Sequence, residues 1–346
     1  MQFLSTGLAA GRRGRPFFHF LLLWAFIFPS LTSSSSAQVP TVANNATISV
    51  SYVMVPFVAL DRRGAPIRDL REKQVELVID GVPAKFDMFE RTSDAPVSYT
   101  ILLDVSGSMA LAGKMEGART ALNSLLSGRL PRDDFSLHFF SAGEVREAVP
   151  FTRDISKIVT SLFRIEPYGK TAFFDALSKM PDKTILGENG SRAIILITDG
   201  LDNASTISRD DLRTLLARVD VPVYALGLRS DAPSRNDASL PADAWTDTRL
   251  LSEIAESTGG RAFITSNLGA LERAIAEIQK DLRSQYLVGF APTGKGATRF
   301  RTISLKLAGS ARSVRVRTGY RGSEPPRPAL AQKAVRSGKN NGKGSL

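Results

Sequence analysis

Asp104, Ser106 and Ser108 alternate in the run Asp-Val-Ser-Gly-Ser, Thr171 ends the run Gly-Lys-Thr, and Asp199 opens Asp-Gly-Leu-Asp-Asn. Carboxylate and hydroxyl oxygens are the ligands a hard divalent cation takes, and magnesium in particular wants a near-octahedral shell that it usually completes with water. Two carboxylates and three hydroxyls, directly or through water, can fill five positions of such a shell, and the sixth remains open. Each of these residues also has a plainer use. Ser106 and Ser108 suit the cap of a following helix, and Asp199-Gly200 suits a turn. Asp175 and Asp202 lie nearby in sequence as second-shell candidates, Asp175 behind Thr171 and Asp202 in the loop after Asp199; helix capping and loop orientation are their alternatives.

Composition closes off other site chemistry. The chain of 346 residues has no cysteine, which removes disulfides, thiolate zinc sites, iron–sulfur clusters and cysteine nucleophiles. It has two histidines, His19 and His138, too few for a zinc site built on several imidazoles. His138 sits inside the strand-like run Phe135-Ser-Leu-His-Phe-Phe140, a structural setting. No Gly-x-Ser-x-Gly elbow surrounds Ser106, and Gly169-Lys170-Thr171 is not a phosphate loop, because Arg164 stands where that motif needs glycine. Asp104 followed by Ser106 also lacks the paired carboxylates of aspartyl-phosphate chemistry. The sequence therefore predicts a binding protein, not an enzyme.

The elements that position these residues follow from apolar periodicity. Apolar runs at Val97–Leu103, Phe135–Phe140, Ala193–Thr198, Val221–Leu228 and Arg261–Ile264 alternate with helical patterns at about 114–127, 154–163, 172–180, 208–218, 248–257 and 267–284. Such alternation predicts an α/β domain with a doubly wound, mostly parallel sheet under helices on both faces. In that architecture ligands bind where the carboxyl ends of the strands open, and Asp104 and Asp199 each follow an apolar run. Short β patterns flank this region. Ile48–Val58, Val75–Ile79 and Lys85–Phe89 precede it, with a hairpin signal at Asp80-Gly81; Gln285–Phe290, Phe300–Leu307 and Ser313–Thr318 follow it, with a turn at 292–296. Each block alone is too small for independent stability, so the two are expected to pair into one small β-sandwich.

The ends of the chain carry addresses rather than core. Arg12-Arg13-Gly-Arg15, the apolar stretch Phe17–Phe28 and a Ser-rich run to Ala37 have the layout of a secretory signal, with an apolar segment short of the roughly 20 residues that cross a bilayer. Cleavage before Gln38 and export to the periplasm or medium are expected, with retention as an anchor as the alternative. Net charge is +11, of which residues 1–37 carry +3, 281–320 carry +7 and 321–346 carry +5, leaving 38–280 at −4. The basic C-terminal end could meet an acidic surface or polymer, and export speaks against nucleic acid. The last stretch, rich in Pro, Gly and Lys, reads as a disordered tail. The expected organisation is a signal at 1–37, an N-terminal β segment at 38–96, the α/β domain at 97–283, a C-terminal β segment at 284–320 and the tail at 321–346.

With these residues in place, the sequence resembles the von Willebrand factor type A domain. Asp104, Ser106 and Ser108 match the Asp-x-Ser-x-Ser of that family's metal-ion-dependent adhesion site, Thr171 matches its distant Thr and Asp199 its distant Asp. Gly-Lys-Thr-Ala-Phe-Phe-Asp-Ala-Leu at 169–177, Thr-Asp-Gly-x-Asp-Asn at 198–203 and Val316-Arg-Thr-Gly-Tyr320 are similar to an exported bacterial branch, the VWFA-related acidobacterial type. The resemblance implies a Rossmann-like domain over roughly 97–283 that binds Mg²⁺, with Mn²⁺ or Ca²⁺ as alternatives, at these five residues. It also implies a partner protein whose Asp or Glu completes the coordination. The alternative is an envelope-associated structural protein held by its basic C-terminal region, with a metal site that only stabilises the fold.

Overall fold

β-Branched and aromatic residues carry the chain into its fold as strands: Val53–Leu60 (β1), Val75–Ile79 (β2), Val82–Ala84 (β3) and Met88–Arg91 (β4). β2 and β3 turn on Asp80 and Gly81, both at positive φ (50° and 80°), the two-residue hairpin that Asp-Gly favours. The computed structural model describes residues 52–321 except 93, 201, 217–219, 230–243, 266, 293–298 and 310–312. All of these lie in one compact unit, Ser49–Leu346. The expected signal segment, most of the turn at 292–296, and the expected tail beyond Arg321 lie outside the described residues.

Six strands then build the central sheet: Val97–Asp104 (β5), Asp134–Ser141 (β6), Glu144–Thr152 (β7), Ser191–Thr198 (β8), Val223–Leu228 (β9) and Ala262–Thr265 (β10). Their order is β10-β9-β8-β5-β6-β7, and every neighbouring pair is parallel except β6 with β7. All residues of β5, β6 and β9 are buried, as parallel strands covered on both faces require. The covering helices are Lys114–Ser127 (α1), Ile155–Arg164 (α2), Phe173–Ser178 (α3), Met180–Thr184 (α4), Arg209–Leu216 (α5), Ala244–Ser257 (α6) and Leu268–Leu282 (α7). On one face Leu122, Ile158, Leu162, Ile275 and Ile278 pack against Ile101 and Leu103. On the other, Phe173, Leu177, Leu212, Leu251 and Ile254 pack against Leu102, Ile194 and Leu196. The period-two alternation of β5 thus feeds two cores at once.

Beyond α7 the chain returns to strands at Gln285–Phe290 (β11), Phe300–Leu307 (β12), Ser313–Val316 (β13) and Gly319–Arg321 (β14). These pair antiparallel with the opening strands to give two four-stranded sheets, β13-β1-β11-β4 and β14-β12-β2-β3. Val55, Phe57, Leu77, Tyr286, Phe290, Ile303, Leu305 and Tyr320 share a third core. The architecture is the expected α/β one, a Rossmann-like sheet flanked by N- and C-terminal β segments in two small antiparallel sheets.

Three local expectations are corrected. β7 is an additional, antiparallel edge strand. Its mix of exposed and half-buried residues, its charges and Pro150 hide it from an apolar-run reading, and an edge is where proline is tolerated. The helix expected at 172–180 is two, α3 and α4, because Pro181 in the first turn of α4 starts a new helix. The strand expected at Lys85–Phe89 is instead β4, three residues later, after the short β3.

Candidate metal-binding site

Parallel register brings the site residues to one edge of the sheet. Leu103 of β5 pairs with Ile197 of β8, so Asp104 and the Thr198-Asp199 pair leave the sheet side by side at its carboxyl end. Asp104 is fully buried. Its Oδ1 accepts the Ser106 amide at 2.8 Å and its Oδ2 accepts the Thr198 hydroxyl at 2.6 Å. Burial pushes its pKa up to about 6, against the pull of the Thr198 and Ser106 hydrogen bonds. The chain after Ser106 tightens into a 3₁₀ turn, Gly107–Ala110, which sets Ser106 Oγ and Ser108 Oγ 3.1 Å apart. Ser106 is buried and Ser108 half-buried.

Thr171 arrives on the loop between α2 and α3, and that loop is pinned from three sides. Tyr168 N donates to Val105 O at 2.7 Å and Gly107 N to Gly169 O at 2.9 Å, which ties it to the Asp104 segment. Ala142 N donates to Lys170 O at 2.6 Å and the Ser141 hydroxyl donates to Tyr168 O, which ties it to the β6–β7 turn. Thr171 and Asn203 exchange bonds: Thr171 N donates to Asn203 Oδ1, and Asn203 N to Thr171 O, each at 3.0 Å. Gly169 makes the approach feasible. Its φ is +74°, and a Cβ there would lie 2.7 Å from Ser141 Oγ and 2.9 Å from Ala142 Cβ.

Asp199 has a partner that apolar periodicity does not foretell. Lys114 Nζ lies 2.9 Å from Asp199 Oδ2, and the two side chains are only 8% and 2% exposed. Asp199 Oδ1 is buried without a hydrogen-bond partner. Asp202 and Asp175 turn to the scaffold. Asp202 accepts from Phe174 N at the start of α3 and from the amide and hydroxyl of Ser205. Asp175 accepts the amides of Thr206 and Ile207; burial raises its carboxyl, but these bonds, the Thr206 hydroxyl and Lys179 together outweigh burial and hold it below the ordinary range. Both brace the loops around Thr171. His138 is buried, with Nε2 3.2 Å from Ser136 Oγ and Nδ1 unpartnered, and burial pushes its pKa down to about 4.

Sequence reasoning missed Lys114 altogether, and missed the parts played by Thr198 on Asp104 and Asn203 on Thr171. Lys114 carries the one signal that could have found it: a cation in the first turn of α1, where the helix dipole disfavours positive charge, asks for an anion nearby.

The carboxylates and hydroxyls thus gather at the carboxyl edge of a Rossmann-like α/β sheet, with the Lys114 ammonium beside them. Residues 99–201 match the family described as von Willebrand factor type A domain. A Borreliella burgdorferi protein is 23% identical over 202 residues, 54% of this chain, and the match spans 59% of that protein's length. Among solved structures, an aerotolerance-related membrane protein from Bacteroides fragilis is 23% identical, with 54% of this chain and 98% of that one covered and a TM-score of 0.43. BatB from Bacteroides thetaiotaomicron is 24% identical over 53% and 99% of the two chains, with a TM-score of 0.40. Manganese-loaded TRAP from Plasmodium vivax is 16% identical over 69% and 98%, with a TM-score of 0.41.

The donor set fits a hard divalent cation. The candidate ligand atoms are oxygens, and Asp199 Oδ1 is a buried acceptor without a hydrogen-bond partner. Among the described residues no cluster of three or more His, Asp or Glu offers a competing carboxylate site.

Proposed function

We propose that this chain is an exported binding module in which Asp104, Ser106, Ser108, Thr171 and Asp199 hold a divalent cation, Mg²⁺ before Mn²⁺ or Ca²⁺, that receives an acidic side chain from a partner protein. The observation that carries this reading is the convergence of hydroxyls and two buried carboxylates at the strand ends, with Asp199 Oδ1 unpartnered. When bound, the cation supplies positive charge and one open coordination position. The chain's own residues do the rest. Thr198 and the Ser106 amide fix the Asp104 carboxylate, the 3₁₀ turn presents both serine hydroxyls, and the Gly169 loop delivers Thr171. Because three of the five ligands are neutral, the two carboxylates only balance the cation's charge, and its open position stays electrophilic enough to attract an incoming carboxylate. Export rests on the signal-like layout of residues 1–37.

The basic C-terminal stretch supports the envelope-attachment reading less than its charge suggests. Arg283, Arg301, Arg315 and Arg317 each pair with an acid of the folded unit: Asp133, Asp80, Asp281 and Asp220. These arginines serve the fold, and attachment through charge would fall to the other basic residues of this stretch, such as the exposed Arg299 and Lys306, and of the segment after it.

Titration calorimetry of Mg²⁺ into the EDTA-stripped full chain tests the proposal, beside Asp104→Ala and Thr171→Ala. Saturable binding is expected in the parent, with a loss of at least about 100-fold in Kd in either variant, the scale at which a missing ligand costs roughly 3 kcal/mol. Equal binding by parent and variants, or no binding at all, overturns it.

A further inference from the structure

Lys114 stands where a cation is wanted and where a lysine is poorly placed by every local criterion. It occupies the first turn of α1, where the unsatisfied amides already present partial positive charge, and its side chain is 8% exposed. A solvated lysine in that turn would escape both penalties. This one instead aims its ammonium at Asp199 Oδ2, 2.9 Å away, and leaves Oδ1 of the same carboxylate unpartnered. Asp199 is one of the two negative charges in the proposed metal site, so the ammonium and a divalent cation seek the same carboxylate. Two cations within one small buried site repel strongly, because little water screens them.

We infer that Lys114 is a built-in counter-cation that neutralises Asp199 in the metal-free protein and must yield that carboxylate when a divalent cation binds. This rests on the metal-site reading of Asp104, Ser106, Ser108, Thr171 and Asp199. Two consequences follow. The metal-free fold is protected from the repulsion of paired carboxylates at the strand ends, and metal affinity is set below what the oxygen ligands alone would give.

Lys114→Met keeps the length and packing of the stem and removes the charge. Mg²⁺ titration of the EDTA-stripped full chain should show Kd falling by about tenfold or more relative to the parent, while the metal-free melting temperature drops. Lys170→Met is the control for general electrostatics, since Lys170 is exposed and adjacent to Thr171; its Kd should move by less than about threefold. Equal or weaker binding by Lys114→Met, or an equal gain in Lys170→Met, overturns the inference while parental binding keeps the metal-site reading. Binding by Lys114→Met alone supports the inference in its strongest form, a lysine that has fully replaced the cation, and overturns metal-dependent function in the parent. Binding by neither overturns both. If Lys114→Met fails to fold, acetylation of the parent by acetic anhydride, read by mass spectrometry with Lys170 as reference, decides. Lys114 should be protected in EDTA and labelled in saturating Mg²⁺, and unchanged labelling overturns the inference.

Discussion

At the scale of the residue, His138 and Asp104 show burial acting in opposite senses on a base and an acid. Burial disfavours charge, so it lowers the histidine and raises the carboxyl. For His138 the nearby Glu147 pulls back toward protonation and Lys183 pushes against it, both more weakly than burial. The folded-state value of about 4 lies below the ordinary 6.5. The unfolded chain therefore binds the proton first as pH falls, and the stability this neutral imidazole contributes is full above 6.5 and is lost progressively toward 4. Linkage makes the loss about 2 kcal/mol by pH 5. Urea titrations of the parent and His138→Gln at pH 7.5 and 5 should show the parent losing about that much more than the variant. An identical pH response in the two proteins would remove His138 from this role.

At the scale of the element, the site depends on a loop more than on a strand. Gly169 lets the Thr171 loop pass within contact of the β6–β7 turn. Gly64, also at positive φ (+76°) but with nothing within 4 Å of a built Cβ, has only the backbone requirement. Gly169→Ala should then cost about 2 kcal/mol or more and weaken Mg²⁺ binding, whereas Gly64→Ala should cost about 1 kcal/mol and leave metal binding intact. Equal metal affinity in Gly169→Ala and the parent would show that the Thr171 loop tolerates displacement. The same contrast explains what could be read in the sequence. Val75–Ile79, Gln285–Phe290 and Phe300–Leu307 were legible to the residue because strong apolar or alternating patterns end at turn signals. The candidate ligands were legible because side-chain type and position after an apolar run are both local facts. Lys114, Thr198 and Asn203 were not, because their parts depend on partners far along the chain: 85 residues for Lys114 with Asp199, 94 for Thr198 with Asp104, and 32 for Asn203 with Thr171. β7 escaped for a different reason, since an edge strand with all but one of its residues exposed or half-buried need not be apolar.

At the scale of the molecule, the α/β domain is inserted in sequence between the two groups of strands that pair to make the sandwich. β1 has β11 and β13 as its neighbours, and β2 has β12 on one side, so the opening strands are paired chiefly by residues more than 200 positions away. Arginines fasten the sandwich to the central domain. Arg317, 2% exposed, bonds Asp220 just before β9 and Met54 O in β1, and Arg315 bonds the buried Asp281 at the end of α7. Tyr286 is the sandwich's central plug. Its ring stacks between Phe57 (5.5 Å) and Phe89 (5.6 Å), and its hydroxyl accepts the Leu70 amide at 2.9 Å. Removing a buried aromatic of this kind typically costs 3–5 kcal/mol through lost burial and the cavity left behind. Tyr286→Ala should therefore loosen β1, β2, β11 and β12 together, and hydrogen exchange of their amides should accelerate by about 100-fold or more while β5 and β8 keep most of their protection. If acceleration stayed within β11 the sandwich would not be one cooperative unit; if β5 and β8 accelerated equally, the arginine ties would make sandwich and domain a single one, and the candidate metal site at the far ends of those strands would feel every change in the flanking sheets.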